Sequence, residues 1–218
     1  KTLDVTHMLQ PGTFWQMLQH SLFGDEQRVP THAIPVVRRT RADYQTPAAS
    51  GLRATWIGHA TTLVELEGRR VLFDPMFSER CSPVSFAGPK RFFPPPLPLA
   101  ELPHIDIVAV SHDHYDHLDM ESIRALAAQG AEFVVPLGMG AHLQRWGVKL
   151  ARINELDWYD TATIAGLRLL ATPARHYSGR GIIGGDRVQW ASWVVLSTHS
   201  RVFFSGDSGY STEFARIG

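Results

Sequence analysis

Residues 111–119 read Ser-His-Asp-His-Tyr-Asp-His-Leu-Asp, and no other stretch constrains the chain as much. His112, His114, Asp116 and His117 spell H-x-H-x-D-H, four strong cation ligands inside six positions. The run before them, Ile105 to Val110, is apolar, β-branched and bounded by Pro103, which predicts a short buried strand. The ligands then leave the strand's C-terminal end on a loop. There His112 and His114 can converge on one cation while Asp116 and His117, past a bend, turn toward a second. Imidazole with carboxylate suits zinc, with manganese or iron as less apt occupants.

The rest of the chain must build a body around that loop. Arg53–Ile57, Thr62–Leu66 and Arg70–Phe73 read as strands, the last two joined through Glu67-Gly68-Arg69 as a hairpin. After the motif, Asp119 is placed to cap a helix running to Gln129 and closed by Gly130. Glu132–Pro136 and Ala151–Leu156 read as strands flanking a helix over Met139–Trp146. Thr161–Ile164, Leu167–Thr172, Gln189–Ser197 and Arg201–Ser205 follow as a β-rich stretch. Strands that first alternate with helices and then meander predict an α/β sandwich of two mixed sheets with helices outside. At 218 residues and 44% hydrophobic, the chain can bury such a core.

Before Leu52 the texture differs. Residues 24–51 are rich in Pro, Arg, Thr and Ala without a period, so 1–51 is expected to be an arm and 52–218 the folded domain. Within the arm, Phe14, Met17, Leu18 and Leu22 fall at helical spacing behind Thr13, which predicts a short amphipathic helix over 13–23 that docks on the core or meets a membrane surface. Lys+Arg and Asp+Glu balance at 21 each, leaving no global basic field for a nucleic-acid partner. The single Cys81 cannot close an internal disulfide, which fits a reducing, cytoplasmic setting. No run has the length of a membrane span, and a chain starting at Lys1 leaves an upstream signal or anchor open.

Two later positions can complete a dinuclear centre. His176 follows the strand ending at Thr172, and Asp207 follows Val202–Ser205. Both lie past the C-terminal end of a predicted strand. A carboxylate such as Asp207 can bridge two cations, and Gly206 and Gly209 would let the backbone approach closely.

These segments, with Trp56–Thr61, Leu72–Pro75, Gly88-Pro89-Lys90-Arg91-Phe92, Glu155-Leu156-Asp157-Trp158 and Phe203–Tyr210, resemble the metallo-β-lactamase superfamily and within it the branch of N-acyl phosphatidylethanolamine phospholipase D. The resemblance runs in order from about residue 52 to the end. It implies the αββα sandwich of that superfamily. It also implies that His112, His114 and His176 hold the first metal, Asp116 and His117 the second, and Asp207 bridges. Asp74 matches an acidic residue that orients the ligand loop, and His59 a position lining the pocket. His7, His20, His32, His104, His142 and His199 lie in the arm, in a helix or at the wrong strand ends. The family pattern takes one more His from beyond Gly206-Asp207-Ser208-Gly209, and none follows here, so the chain is expected to lack the fold's C-terminal part.

The chemistry implied is hydrolysis by a hydroxide bridging two zinc ions, with a small net positive charge that favours a phosphodiester anion. Asp116 would orient that hydroxide, and the substrate would be a small or lipid phosphodiester met in peripheral contact with a membrane. A lactone or another ester on the same site, and an inactive binding domain, are the alternatives. The sequence leaves oligomeric state open.

Overall fold

The computed structural model describes residues 15–16, 19–20, 23–24, 27, 29–180 and 187–217. Among these, ten strands form two sheets. The first runs in the order β1 (Leu52–Gly58), β2 (Thr61–Leu66), β3 (Arg69–Phe73), β4 (Ile107–Ala109), β5 (Glu132–Pro136) and β6 (Ile153–Leu156). The second runs β10 (Arg201–Phe204), β9 (Ser192–Leu196), β8 (Leu167–Thr172) and β7 (Thr161–Ile164).

The first sheet is mixed: β1, β2 and β3 pair antiparallel, whereas β3 to β6 run parallel. The second is antiparallel throughout, not mixed as expected, because β7 to β10 follow one another in sequence and pair with their neighbours without a crossover helix among the described residues. The β2–β3 turn is tighter than expected. Leu66 pairs with Arg69, and Glu67 and Gly68 take φ of 49° and 82°, the left-handed pair of a two-residue hairpin.

Alternation along the parallel strands explains the layers. Leu72, Val108, Phe133 and Val135 face a core shared with α1 (Met120–Ala128) and α2 (Gly140–Arg145). Val71, Phe73, Ile107, Ala109 and Val134 face the second sheet, meeting Leu169, Ala171, Trp193 and Val195. Burial on both faces is why these strands read as unbroken apolar runs. Trp193 is fully buried between the sheets, and its indole N–H donates to Val110 O at 3.0 Å. A Trp buried so completely removes enough apolar surface for about 4–6 kcal/mol as an upper bound, pinning the second sheet to the strand that launches the metal motif.

The arm packs on this body. Arg39 N–H donates to Pro96 O at 2.8 Å, Arg41 Nη2 to Ala100 O at 2.8 Å, and Tyr44 is buried against the first core. Of the helix expected over 13–23, Trp15, Gln16, Gln19, His20 and Phe23 are helical. Thr13, Phe14, Met17, Leu18 and Leu22, which carried the expectation, lie outside the described residues. Among the described residues no helix is long and apolar enough to cross a membrane. A short helix, α3 (Phe214–Ile217), follows β10.

Candidate metal centre

Every candidate side chain lies on a turn at one end of the strands. His59 sits in the β1–β2 turn, Asp74 one residue past β3, His112 to His117 past β4, His176 past β8 and Asp207 past β10. Parallel β3 and β4, with antiparallel pairing in the second sheet, put all these ends on the same edge of the sandwich.

His112, His114 and His176 come together as one group, with ligand atoms within 4.8 Å of one another. His176 Nε2 stands 3.1 Å from His112 Nε2 and 3.3 Å from His114 Nδ1. Burial pushes all three imidazoles below their ordinary pKa, and the neighbouring histidines add to the shift at His112 and His176. Three neutral rings then aim lone pairs at a common point, which is the donor set of a cation site and an unfavourable packing without one.

A second group is His59, Asp116 and His117. His59 Nε2–H donates to Asp116 Oδ2 at 2.8 Å, and Asp116 Oδ2 lies 3.7 Å from His117 Nε2. Asp207 Oδ2 lies 3.4 Å from His117 Nε2 and 4.0 Å from His176 Nε2, so its carboxylate faces both groups. Burial would raise the Asp116 carboxyl, yet the His59 hydrogen bond and the His117 charge outweigh it and hold the carboxyl down at about 2. The His117 imidazole 3.4 Å away likewise holds Asp207 below the usual carboxylate range.

His117 supplies the test of fit. Its ring is fully buried, and its Nε2 has no hydrogen-bond partner, the two carboxylate oxygens being too distant for a good one. Its Nδ1 is committed to Asp74 Oδ2 at 2.7 Å. An orphaned buried nitrogen between two ionised carboxylates fits a divalent cation, and the residues present suit one on each side of Asp207.

Asp74 is the hub behind the ligands. Buried, with φ of 43°, it accepts from Ser111 N at 2.7 Å, from Ser111 Oγ at 2.6 Å and from His117 Nδ1. Ser111 Oγ in turn lies 2.9 Å from His112 Nδ1, which leaves His112 Nε2 to face the centre. Sequence reasoning missed Ser111, because a serine before a histidine motif carries no signal of its own. Asp119 was expected to cap α1, but its side chain makes no capping bond. It accepts from Ser78 N at 3.1 Å and from Ser122 Oγ at 2.5 Å, so it holds the loop after β3.

The remaining histidines stay apart from the centre. His142 stacks on Trp146 with its Nε2 4.0 Å from Asp113, and His199 N–H donates to Glu67. His7 lies outside the described residues. A cavity of about 500 Å³ opens beside His59 and Asp116, walled by Ile34, Trp56, Met76, Phe92 and Phe93 and edged by Lys90 and Arg91. Cys81 also lines it, and burial pushes its thiol up, which disfavours the thiolate a nucleophile needs.

Residues 69–218 match the family described as the Beta-lactamase superfamily domain. An uncharacterised protein of Mycobacterium tuberculosis is 50% identical over 171 residues, covering 78% of this chain and 46% of its own length. The N-acyl-phosphatidylethanolamine-hydrolyzing phospholipase D 1 of Caenorhabditis elegans is 36% identical over 209 residues, 91% of this chain and 58% of that protein. The chain therefore spans about half the length of these relatives. Among solved structures, the metallo hydrolase Igni18 of Ignicoccus hospitalis shares the fold with a TM-score of 0.58 at 20% identity, covering 77% of this chain and 65% of that one. A fold of two sheets with its ligand loops gathered on one edge, together with a family match over most of the length, places this chain in the β-lactamase superfamily domain family.

Proposed function

We propose that this chain is a metal-dependent hydrolase, that it binds two zinc ions, and that it cleaves a phosphodiester such as N-acyl phosphatidylethanolamine. The observation that carries the metal reading is the orphaned Nε2 of His117 beside the neutral triangle of His112, His114 and His176. The phosphodiester reading draws on the similarity to the worm phospholipase and to the mitochondrial yeast N-acyl-phosphatidylethanolamine-hydrolyzing phospholipase D, 34% identical over 170 residues. In this reading His112, His114 and His176 would hold the first cation and Asp116 and His117 the second, with the Asp207 carboxylate available to both.

The cations, when bound, supply Lewis-acid stabilisation and acidify water toward a pKa of ~7. Asp116, held ionised and fixed by His59, accepts the hydrogen bond of the attacking water and orients its lone pair toward phosphorus. As that O–P bond forms, the P–O bond to the alcohol breaks, and the proton given up by the water ends on the departing alkoxide oxygen. The apolar wall of Trp56, Met76, Phe92 and Phe93 excludes bulk water and suits a chain-bearing ester. Ile34 gives the arm a share of that wall, so we assign 52–218 to the hydrolase and 1–51 to substrate access and contact with a lipid surface.

The test is elemental analysis of protein purified without chelator, followed by hydrolysis of bis(p-nitrophenyl) phosphate, N-acyl phosphatidylethanolamine, a lactone and a cephalosporin. Bound zinc with turnover of the diesters is expected. Absence of a transition metal in wild type, or turnover of the lactone alone, sinks the metal or the phosphodiester reading respectively. Removing residues 1–23 should cost more activity on micellar lipid than on the soluble diester.

A further inference from the structure

The loop that carries His176 leaves β8 at Thr172, while His112 and His114 leave β4 in the other sheet; Ala191 N–H to Ser111 O at 2.9 Å and Trp193 Nε1–H to Val110 O at 3.0 Å join the sheets just before the motif, and beyond them a gap separates the two loops. Arg180 spans that gap. From the His176 loop its Nη1 donates to two backbone carbonyls of the ligand motif, Asp113 O at 2.8 Å and Leu118 O at 2.7 Å. Its guanidinium lies 4.0 Å from the centroid of the Tyr115 ring. Tyr115 closes the loop by donating from its hydroxyl to Arg180 O at 3.0 Å, and Gly179 N–H donates to Asp113 Oδ1 at 2.7 Å.

Arg180 touches no candidate ligand ring, yet its contacts bracket the stretch from His114 to His117. Taking a guanidinium largely out of water is costly unless it is paired or fully hydrogen-bonded. Here its hydrogen bonds go to backbone carbonyls and its plane to an aromatic face, which fix position, while the Asp113 and Asp119 carboxylates offset part of its charge through space. Surface exposure would serve a merely solubilising arginine better.

We propose that Arg180 is a positioning residue that sets His176 at coordinating distance from His112 and His114. The inference rests on the metal reading of that triangle. Without the guanidinium the clasp between the two loops falls back on Gly179 N–H to Asp113 Oδ1 and on the Tyr115 hydroxyl to the backbone carbonyl of Arg180's position, and the three nitrogens no longer converge at 3.1–3.3 Å in the metal-free protein. Loss of a group that orients ligands typically weakens metal affinity by about 10–100-fold.

The experiment measures Zn2+ affinity by competition with a chromophoric chelator, and the d–d absorption of the Co2+-loaded protein, for wild type, Arg180→Met, Arg180→Lys, His176→Ala and the double variant Arg180→Met/His176→Ala. Circular dichroism checks that each folds. Expected are an about 10–100-fold weaker Zn2+ affinity and an altered Co2+ spectrum in Arg180→Met. Lys, whose ammonium also donates to carbonyls, should rescue part of both. The loss should shrink to within about twofold in the His176→Ala background, because residues acting through one another are not additive. Unchanged affinity in Arg180→Met, or an equal loss in both backgrounds, overturns the proposal. If Arg180→Met does not fold, Arg180→Lys carries the same comparison. A wild type that takes up no metal overturns the underlying reading instead, so the two failures are distinct.

Discussion

Gly206 rests directly against Ser111: a Cβ on the glycine would stand 2.5 Å from Ser111 Cβ and 2.8 Å from its Oγ. The backbone there has φ of 56°, which an L side chain adopts at a cost. This contact seats the Asp207 loop of the second sheet on the residue that precedes His112 in the first.

Gly206→Ala should therefore destabilise the protein by about 1–3 kcal/mol and lower its metal content, since Asp207 moves when its neighbour is pushed off Ser111. Gly209→Ala is the control. Its Cβ would find only ordinary contacts, the nearest being Arg175 Cδ at 3.5 Å. Denaturant unfolding and elemental analysis of both variants check the contrast, and equal behaviour would contradict it.

The buried pair of His117 and Asp74 predicts opposite pH trends for stability and metal binding. Burial would lower the imidazolium pKa, but the Asp74 carboxylate, with Asp207, overrides it and holds His117 up at about 10 in the metal-free protein. A raised folded value means that the pair's contribution is full below the unfolded pKa of ~6.5 and is lost as pH rises through about 10. A cation at Nε2 must displace that proton, so apparent affinity should rise over the same range. Calorimetry in buffers of differing ionisation heat should register proton release on metal uptake. Asp74→Asn should flatten both trends.

How far the sequence carried depends on whether a feature is local. The parallel strands were legible because Ile107–Ala109 and Phe133–Val135 form apolar runs that two-sided burial explains. The cluster of donor side chains was legible because His112 to His117 concentrate them in one loop. Asp207 and His176 were legible as polar residues past strand ends. The hub around Asp74 was only half visible, since Ser111 acquires its role from a carboxylate 37 positions away. Asp119 shows the reverse case: its place before α1 fits a cap, but the tertiary offer of Ser78, together with the Ser122 hydroxyl in the first turn of α1, wins its side chain. Arg180 and Trp56 act through backbone carbonyls, which no residue pattern announces.

Glu67 predicts a pH dependence away from the centre. It accepts from Ser197 Oγ at 2.8 Å, His199 N at 2.8 Å and Thr198 N at 3.2 Å, joining the β2–β3 turn to the β9–β10 turn. The Ser197 hydrogen bond, then that of His199, holds its carboxyl below the ordinary value. A lowered folded pKa gives a contribution present above the unfolded pKa of ~4.3 and lost as pH falls through the folded value. Glu67→Gln should lower Tm at neutral pH and converge with wild type in acid. A Tm difference that persists unchanged in acid would count against the clasp.

Trp56 predicts a separation of kcat from KM. Its indole N–H donates to His59 O at 2.7 Å, and His59 is held at φ of 50°, a left-handed conformation rare for a residue with a side chain. That hydrogen bond fixes the turn from which His59 reaches Asp116, while the ring packs edge-on to Phe93 at 6.1 Å and walls the cavity. Trp56→Phe keeps an apolar wall and removes the donor. A hydrogen bond worth about 1 kcal/mol corresponds to about fivefold in rate, so kcat should fall by that factor with KM little changed. Phe93→Ala should do the opposite, raising KM for a chain-bearing ester while leaving turnover of a soluble diester near wild type. In the His59→Ala background Trp56→Phe should cost nothing further in kcat, since the hydrogen bond then positions no imidazole. A full additive loss there would mean that Trp56 acts on substrate directly and not through His59.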